Sequence, residues 1–246
     1  MTFEMPTEAN PVVVVCGDAL DVLRAMPDGC VDAVVTDPPY GVGFDYGTSY
    51  DDSDVSYGAV LDRLFAAERC ISPGGFMVVY QAAKHARRWA GWFPRDWQLL
   101  ALPKNFVQAG RGDLVPATDY ALWWSVGRGR QSREWQAGMA RDWFLCDTVP
   151  APRDRLSRGH PCPRPPDGVK YIVRSLCPPG GVILDPFAGS GTTGVAAVAE
   201  GRRAILVERE PKYAEICRRR VAEAMGMGAG SLLKATVPDL FSGAGE

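Results

Sequence analysis

The feature that most limits how this chain can fold is a rhythm of short, unbroken apolar runs separated by helical spacing. Residues 12–16 form a β-branched run closed by Gly17-Asp18, and residues 31–36 form a second, broken by Pro38-Pro39. Such runs read as strands covered on both faces, because a half-exposed strand would alternate with polar residues. Residues 19–26, 57–70 and 82–92 carry apolar residues at helical spacing, and 76–80 read as a third strand after the punctuation Ser72-Pro73-Gly74-Gly75. From Val169 the order is helix, strand 182–184, helix 192–200, strand 204–207 and helix 212–224. Alternating strands and helices predict an α/β fold, a mainly parallel sheet with helices on both faces and ligands at the carboxyl ends of its strands.

The middle of the chain breaks this rhythm. Residues 97–102 and 120–126 read as strands, whereas 127–160 is rich in arginine and aromatics, with 143–149 its best strand candidate. Prolines at 150, 152, 161, 163, 165 and 166 then suit an irregular connector. The stretch from Gly226 is rich in glycine and alanine and is expected to be mobile. A chain of 246 residues suffices for one α/β domain with a small insert.

Composition excludes several classes. No run approaches ~18 apolar residues, so no membrane span is expected. The first ten residues carry Glu4 and Glu8 and no basic apolar leader, so they do not read as a signal peptide. Seven scattered cysteines without a Cys-x-x-Cys pair suit reduced thiols in the cytoplasm and argue against a disulfide frame or a zinc finger. His160 and Cys162 make half a metal site with no second pair, and no metal is expected. The net charge of −2 hides an asymmetry, since residues 84–164 hold 14 Lys and Arg against 7 Asp and Glu. A cationic middle suits a polyanion, although it also describes an ordinary solvated surface.

Two motifs carry chemistry. Asp185-Pro186-Phe187-Ala188-Gly189-Ser190-Gly191-Thr192-Thr193-Gly194 leaves a strand and opens a helix. Glycines there let the backbone approach a ligand, and the helix start offers unpaired N–H groups. The turn has neither the third glycine of a dinucleotide loop nor a lysine for a phosphate. An acid precedes it and the next strand ends at Glu208, whose carboxylate suits a ribose diol. The arrangement suits a nucleoside without phosphates. The second motif, Asp37-Pro38-Pro39-Tyr40, follows residues 31–36 directly. Its prolines remove two N–H donors, leaving carbonyls and a carboxylate to accept the hydrogens of an amino group. An exocyclic base amine is a poor nucleophile because its lone pair is delocalised, and accepting both hydrogens favours a pyramidal, reactive nitrogen. Tyr40 offers a ring on which an extracted base stacks. Alone, the tetrapeptide also reads as a turn with a packed tyrosine.

Together these residues resemble the amino-methyltransferase family of DNA methyltransferases, in its permuted beta group, over almost the whole chain. Asp37 to Tyr40 resembles the catalytic motif and Asp185 to Thr193 the cofactor loop. Gly17-Asp18 resembles the acid that contacts the cofactor adenine, and Glu208 the ribose acid. Pro103-Lys104-Asn105 and Asp119-Tyr120-Ala121-Leu122 resemble the segment after the catalytic half, and His160-Pro161-Cys162-Pro163-Arg164-Pro165 a motif that usually carries lysine where Arg164 stands. Thr118-Asp119 replaces the family's frequent His-Glu, and Val207-Glu208-Arg209 varies its Gly-Ile-Glu.

The resemblance implies a Rossmann-like methyltransferase fold in one domain: catalytic half 1–126, target-recognition insert about 127–159, cofactor half 160–225 and tail 226–246. It implies S-adenosyl-L-methionine as cofactor, held by Asp18, Asp185, Pro186, Phe187, Gly189, Ser190, Gly191, Thr192 and Glu208. Asp37, Pro38, Pro39 and Tyr40 are then catalytic, and transfer is direct, without a cysteine nucleophile. Double-stranded DNA is the expected partner, met by Arg128, Arg130, Arg133, Arg141 and Arg164, with Trp123, Trp124, Trp135 and Trp143 interleaved; a homodimer is left open. The insert is short for a sequence reader, so a short recognition site is expected, or help from a partner subunit or the loop 41–56; residues 53–57 and the loop before them are expected to close over the base. Asp-Pro-Pro-Tyr goes mostly with adenine N6 in the family, with cytosine N4 the alternative. An RNA or protein N-methyltransferase, or a DNA-binding module without activity, stands further off.

Overall fold

The computed structural model describes residues 4–41, 43, 57–93, 96–105, 117–127, 140–147, 164–227 and 234–236. Eight strands form one sheet: β1 (Val12–Cys16), β2 (Val31–Thr36), β3 (Ile71–Gln81), β4 (Gln98–Pro103), β5 (Thr118–Ser125), β6 (Val182–Asp185), β7 (Arg203–Glu208) and β8 (Lys234–Thr236). Their order is β4-β5-β3-β2-β6-β7-β1-β8. Neighbours pair in parallel except at β5, which is antiparallel to both β3 and β4.

The β-branched runs become central strands because both their faces are covered. In β1, Val12 and Val14 pack into one core while Val13 and Val15 pack into the other. The second core takes the buried side chains of α1 (Ala19–Ala25), α2 (Tyr57–Arg69) and Trp89 of α3 (Ala86–Trp92). The first takes those of α4 (Pro166–Leu176), α5 (Thr192–Ala199) and α6 (Pro211–Ala224). Helices α1 to α3 thus cover one face and α4 to α6 the other, which is the expected α/β architecture.

Connectivity decides where a ligand fits. From β2 the chain runs outward to β3, and from its neighbour β6 it runs the opposite way to β7. Between β2 and β6 the connections diverge, leaving a crevice beyond the carboxyl ends of the strands. Asp37 and Asp185 stand at its rim.

The structure corrects several boundaries. Residues 82–92 are not one helix: Ala83–His85 form a 3-10 turn before α3. The Ser72–Gly75 punctuation is absorbed into β3 as a bulge, with Val31 paired to Ile71 but Ala33 to Phe76. A Cβ at Gly75 would lie 2.4 Å from the carbonyl oxygen of Asp32, so the bulge requires glycine. Of the candidate strand at 143–149, residues 148 and 149 lie outside the described residues, and 143–147 is irregular, with isolated bridges from Trp143 to Ala101 of β4 and from Cys146 to Lys104 just after it. Within the tail 226–246, Lys234–Thr236 pairs with β1.

Candidate active site

The turn from Asp185 to Gly194, the candidate cofactor turn, is built largely from its own sequence. β6 delivers Asp185, 3% exposed, to the end of the sheet. One Asp185 oxygen accepts from the Thr36 hydroxyl at 2.7 Å and the Phe187 amide at 3.1 Å, the other from the Thr193 hydroxyl at 2.6 Å. Burial pushes this carboxyl up to about 6, against the pull of the two hydroxyls and the amide. The turn then reverses at Gly189 and at Gly191, whose φ of 83° begins α5 in the left-handed region. A Cβ on Gly191 would meet Cys217 Sγ at 2.6 Å, so glycine is needed there for conformation and for space.

Glu208, at the end of β7, accepts from the Gly189 amide through one oxygen and from the Glu210 amide through the other, both at 2.8 Å. Burial raises its pKa as well, with the two amides opposing. Asp18 caps α1 by accepting from the Leu20 amide at 2.8 Å and pairs with Arg63 at 2.6 Å. Although its burial works the other way, the Arg63 and Leu20 hydrogen bonds leave its pKa lowered. Buried Arg220 of α6 donates to the Ser190 carbonyl at 2.7 Å, the Ser190 hydroxyl at 2.8 Å and the Thr192 hydroxyl at 3.2 Å, pinning the turn from behind. Three carboxylates thus end three strands of one edge. Among the described residues Asp185 keeps one acceptor position open and Glu208 keeps two, an acceptor set that fits a ligand bearing cationic and hydroxyl groups.

The surroundings of the Asp37-Pro38-Pro39-Tyr40 motif are assembled from distant segments. Asp37 follows Thr36, whose hydroxyl already joins it to the cofactor turn. Arg164 donates to both Asp37 oxygens, Nε to Oδ2 at 2.5 Å and a terminal nitrogen to Oδ1 at 3.0 Å. Its other terminal nitrogen reaches Asp119 at 2.8 Å, and Asp119 in turn pairs with Lys104 at 2.9 Å. The Tyr40 hydroxyl donates to Asp37 Oδ1 and accepts from Arg164. The guanidinium carbon lies 5.7 Å from the Tyr40 ring centre and 5.1 Å from that of Tyr80, the next-to-last residue of β3. Burial pushes both phenols well above the usual tyrosine range, and Arg164 only partly offsets this, so they stay neutral. Burial works against the Arg164 charge, but Asp37, Tyr40 and Asp119 outweigh it and raise its pKa.

Several expectations meet a different placement. Arg164, grouped with DNA-facing cations, lies inside the pocket against Asp37, its side chain 16% exposed. Arg128, Arg130, Arg133 and Trp135 fall outside the described residues, as do 44–56 and the segment 148–163. Arg141 is exposed over the Trp143 ring at 5.4 Å, and its backbone is held by the Tyr171 hydroxyl. Trp143 is exposed, whereas Trp124 is buried with its indole donating to Glu68. The residues that sequence reading passed over are Thr36, Tyr80 and Arg220, together with the hydrogen bond of Thr193 to Asp185 and the network role of Asp119 and Lys104. Arg220 is one of three consecutive arginines, Arg218, Arg219 and Arg220, and nothing local marks it as buried.

This fold is shared with solved methyltransferases. One is M1.HpyAVI in complex with SAM, with a TM-score of 0.68 and 20% identity over 85% of this chain and 98% of that one. Another is TTHA0409 of Thermus thermophilus with S-adenosyl-L-methionine, with a TM-score of 0.65 and 24% identity over 95% and 99%. The cytosine-N4-specific PvuII DNA methyltransferase has a TM-score of 0.68 and 17% identity over 98% and 95%. The architecture is therefore the Rossmann-like fold of S-adenosylmethionine-dependent methyltransferases. YubD of Escherichia coli (strain K12), which carries the name of a methylase, is 28% identical over 228 residues, covering 87% of this chain and 93% of its own length. The profile of the DNA methylase family matches residues 31–219, from β2 into α6, and the chain belongs to this N6/N4 family of DNA amino-methyltransferases.

Proposed function

We propose that the protein transfers a methyl group from S-adenosyl-L-methionine to the exocyclic N6 of adenine in double-stranded DNA, with the target base turned out of the duplex. The observation that carries this reading is the direct link between the two sites: Thr36 donates to Asp185 at 2.7 Å, and Asp37 is the next residue. A cofactor at the Asp185 turn and a base at Asp37 then meet across one crevice. The cofactor supplies an electrophilic methyl group on a sulfonium centre.

The residues of this chain do the rest. Asp18, Asp185, Pro186, Phe187, Gly189, Ser190, Gly191, Thr192 and Glu208 line the cofactor side, with Asp185 facing positive charge and Glu208 facing the ribose. Asp37 and the Pro38 carbonyl accept the amino hydrogens, Pro39 stiffens the loop, and Tyr40 stacks on the base. This positioning and polarisation is what a reaction with a ready electrophile requires of its catalyst. Arg141, with Arg128, Arg130 and Arg133, supplies phosphate contacts. The Asp-Pro-Pro-Tyr sequence supports adenine; the same acceptors serve N4 of cytosine, which is the other outcome of the test. Long-read sequencing of DNA from cells expressing the wild type should reveal N6-methyladenine in one short context, absent with Asp37→Ala. N4-methylcytosine there would change the base, and no modification by a folded protein would overturn the reading.

A further inference from the structure

We propose that Arg164 is a positioning residue that fixes the plane of the Asp37 carboxylate and leaves one acceptor site for the amino group of the base. The inference rests on the methyl-transfer reading above. An ionised carboxylate offers about four lone-pair positions. Among the described residues three are taken: Arg164 holds one on each oxygen, and the Tyr40 hydroxyl holds a second on Oδ1. The fourth lies on Oδ2. It is the only direction in which Asp37 can still receive a hydrogen without surrendering a partner.

Arginine suits this task because its fork is planar. Two parallel N–H groups set the carboxylate plane, whereas a lysine ammonium would hold the charge and let the carboxylate turn. The third guanidinium nitrogen is anchored on Asp119, which Lys104 holds in turn. The charges alternate from the end of β4, through the start of β5 and the entry to α4, to the loop after β2. The segments carrying Lys104 and Asp119, which the transfer chemistry does not itself use, thereby acquire a role: they hold Arg164 in place. The rings of Tyr40 and Tyr80 beside the guanidinium restrict its remaining freedom.

The test measures steady-state methylation of unmethylated genomic DNA with radiolabelled cofactor, using wild type, Arg164→Ala and Arg164→Lys. Misaiming an acceptor without removing it lowers kcat by about 100-fold in the alanine variant and about tenfold in the lysine variant, with KM for DNA held within about threefold. Guanidinium chloride at tens of millimolar should restore part of the alanine variant's kcat, and sodium chloride at equal concentration should not. A raised KM at unchanged kcat would make Arg164 a phosphate contact, a faster alanine variant would make it a plug, and either overturns the proposal. If the alanine variant fails to fold, Arg164→Lys decides, and wild-type kcat there overturns it too. An inactive wild type instead removes the methyl-transfer reading itself, before any variant is compared.

Discussion

The two halves of the crevice stabilise their acids by opposite means. Asp185 in the cofactor turn is held by two hydroxyls and an amide, and among the described residues no cation pairs with it. Its charge is therefore costly when the site is empty, and burial pushes it up to about 6. Asp37, a residue beyond the neighbouring strand, meets the bidentate guanidinium of Arg164. One side thus leaves negative charge for a cationic ligand to neutralise, and the other neutralises its charge within the protein. A sulfonium-bearing cofactor suits the first and a neutral base suits the second. Leaving an acid unpaired costs stability but gives selectivity for a cation.

The sharpest way to break this contrast is to remove each acid in turn. Asp37→Ala should cut methylation by about a thousandfold or more while cofactor affinity in calorimetry stays within about twofold. Asp185→Ala should weaken cofactor binding by about 100-fold, since it removes the ligand's counter-charge. Equal losses of cofactor affinity in both variants would show that the sides are not independent.

The pH dependence sharpens the same point. The folded pKa of Asp185 lies above its unfolded value, so proton binding favours the folded, empty protein. That contribution is present at pH below about 4 and lost as pH rises through about 6. In thermal unfolding, Asp185→Asn should remove this part of the pH dependence, a contribution of about 3 kcal/mol for a rise from 3.8 to about 6. With Asp185 facing the cofactor's positive charge as proposed, cofactor affinity has the opposite slope, because that contact needs the ionised form. It should fall by up to about tenfold per pH unit below 6 in the wild type and stay flat in Asp185→Asn.

Smaller effects test the surroundings. Gly191→Ala forces a side chain into a φ of 83° and onto Cys217, and should cost about 2 kcal/mol in denaturant unfolding. Trp143→Ala, on the exposed strip beside β4, should change stability by no more than about 0.5 kcal/mol. A larger loss would mean that the strip is covered within the folded chain.

The same contrast separates what could be read in advance from what could not. The runs 12–16 and 31–36 announced central strands because both faces of each are apolar, and the cofactor turn announced itself because its acid, glycines and helix start are contiguous. The two tyrosines, Asp119, Lys104 and Arg164 come from separate elements. Nothing in the spacing from 37 to 164 reveals that these two residues touch, and Arg164 therefore looked like one more cation of a basic stretch. Arg220 was hidden in the same way, as one of three consecutive arginines in α6.

The amino-acid sequence by itself determined the layered α/β fold, the strand ends that carry the acids and the glycine turn, since each follows from local periodicity or from backbone freedom at a single residue. Only the tertiary structure decided which acid receives a cation. That choice depends on which strands lie side by side at the switch point, and a long-range ion pair has no local pattern to announce it.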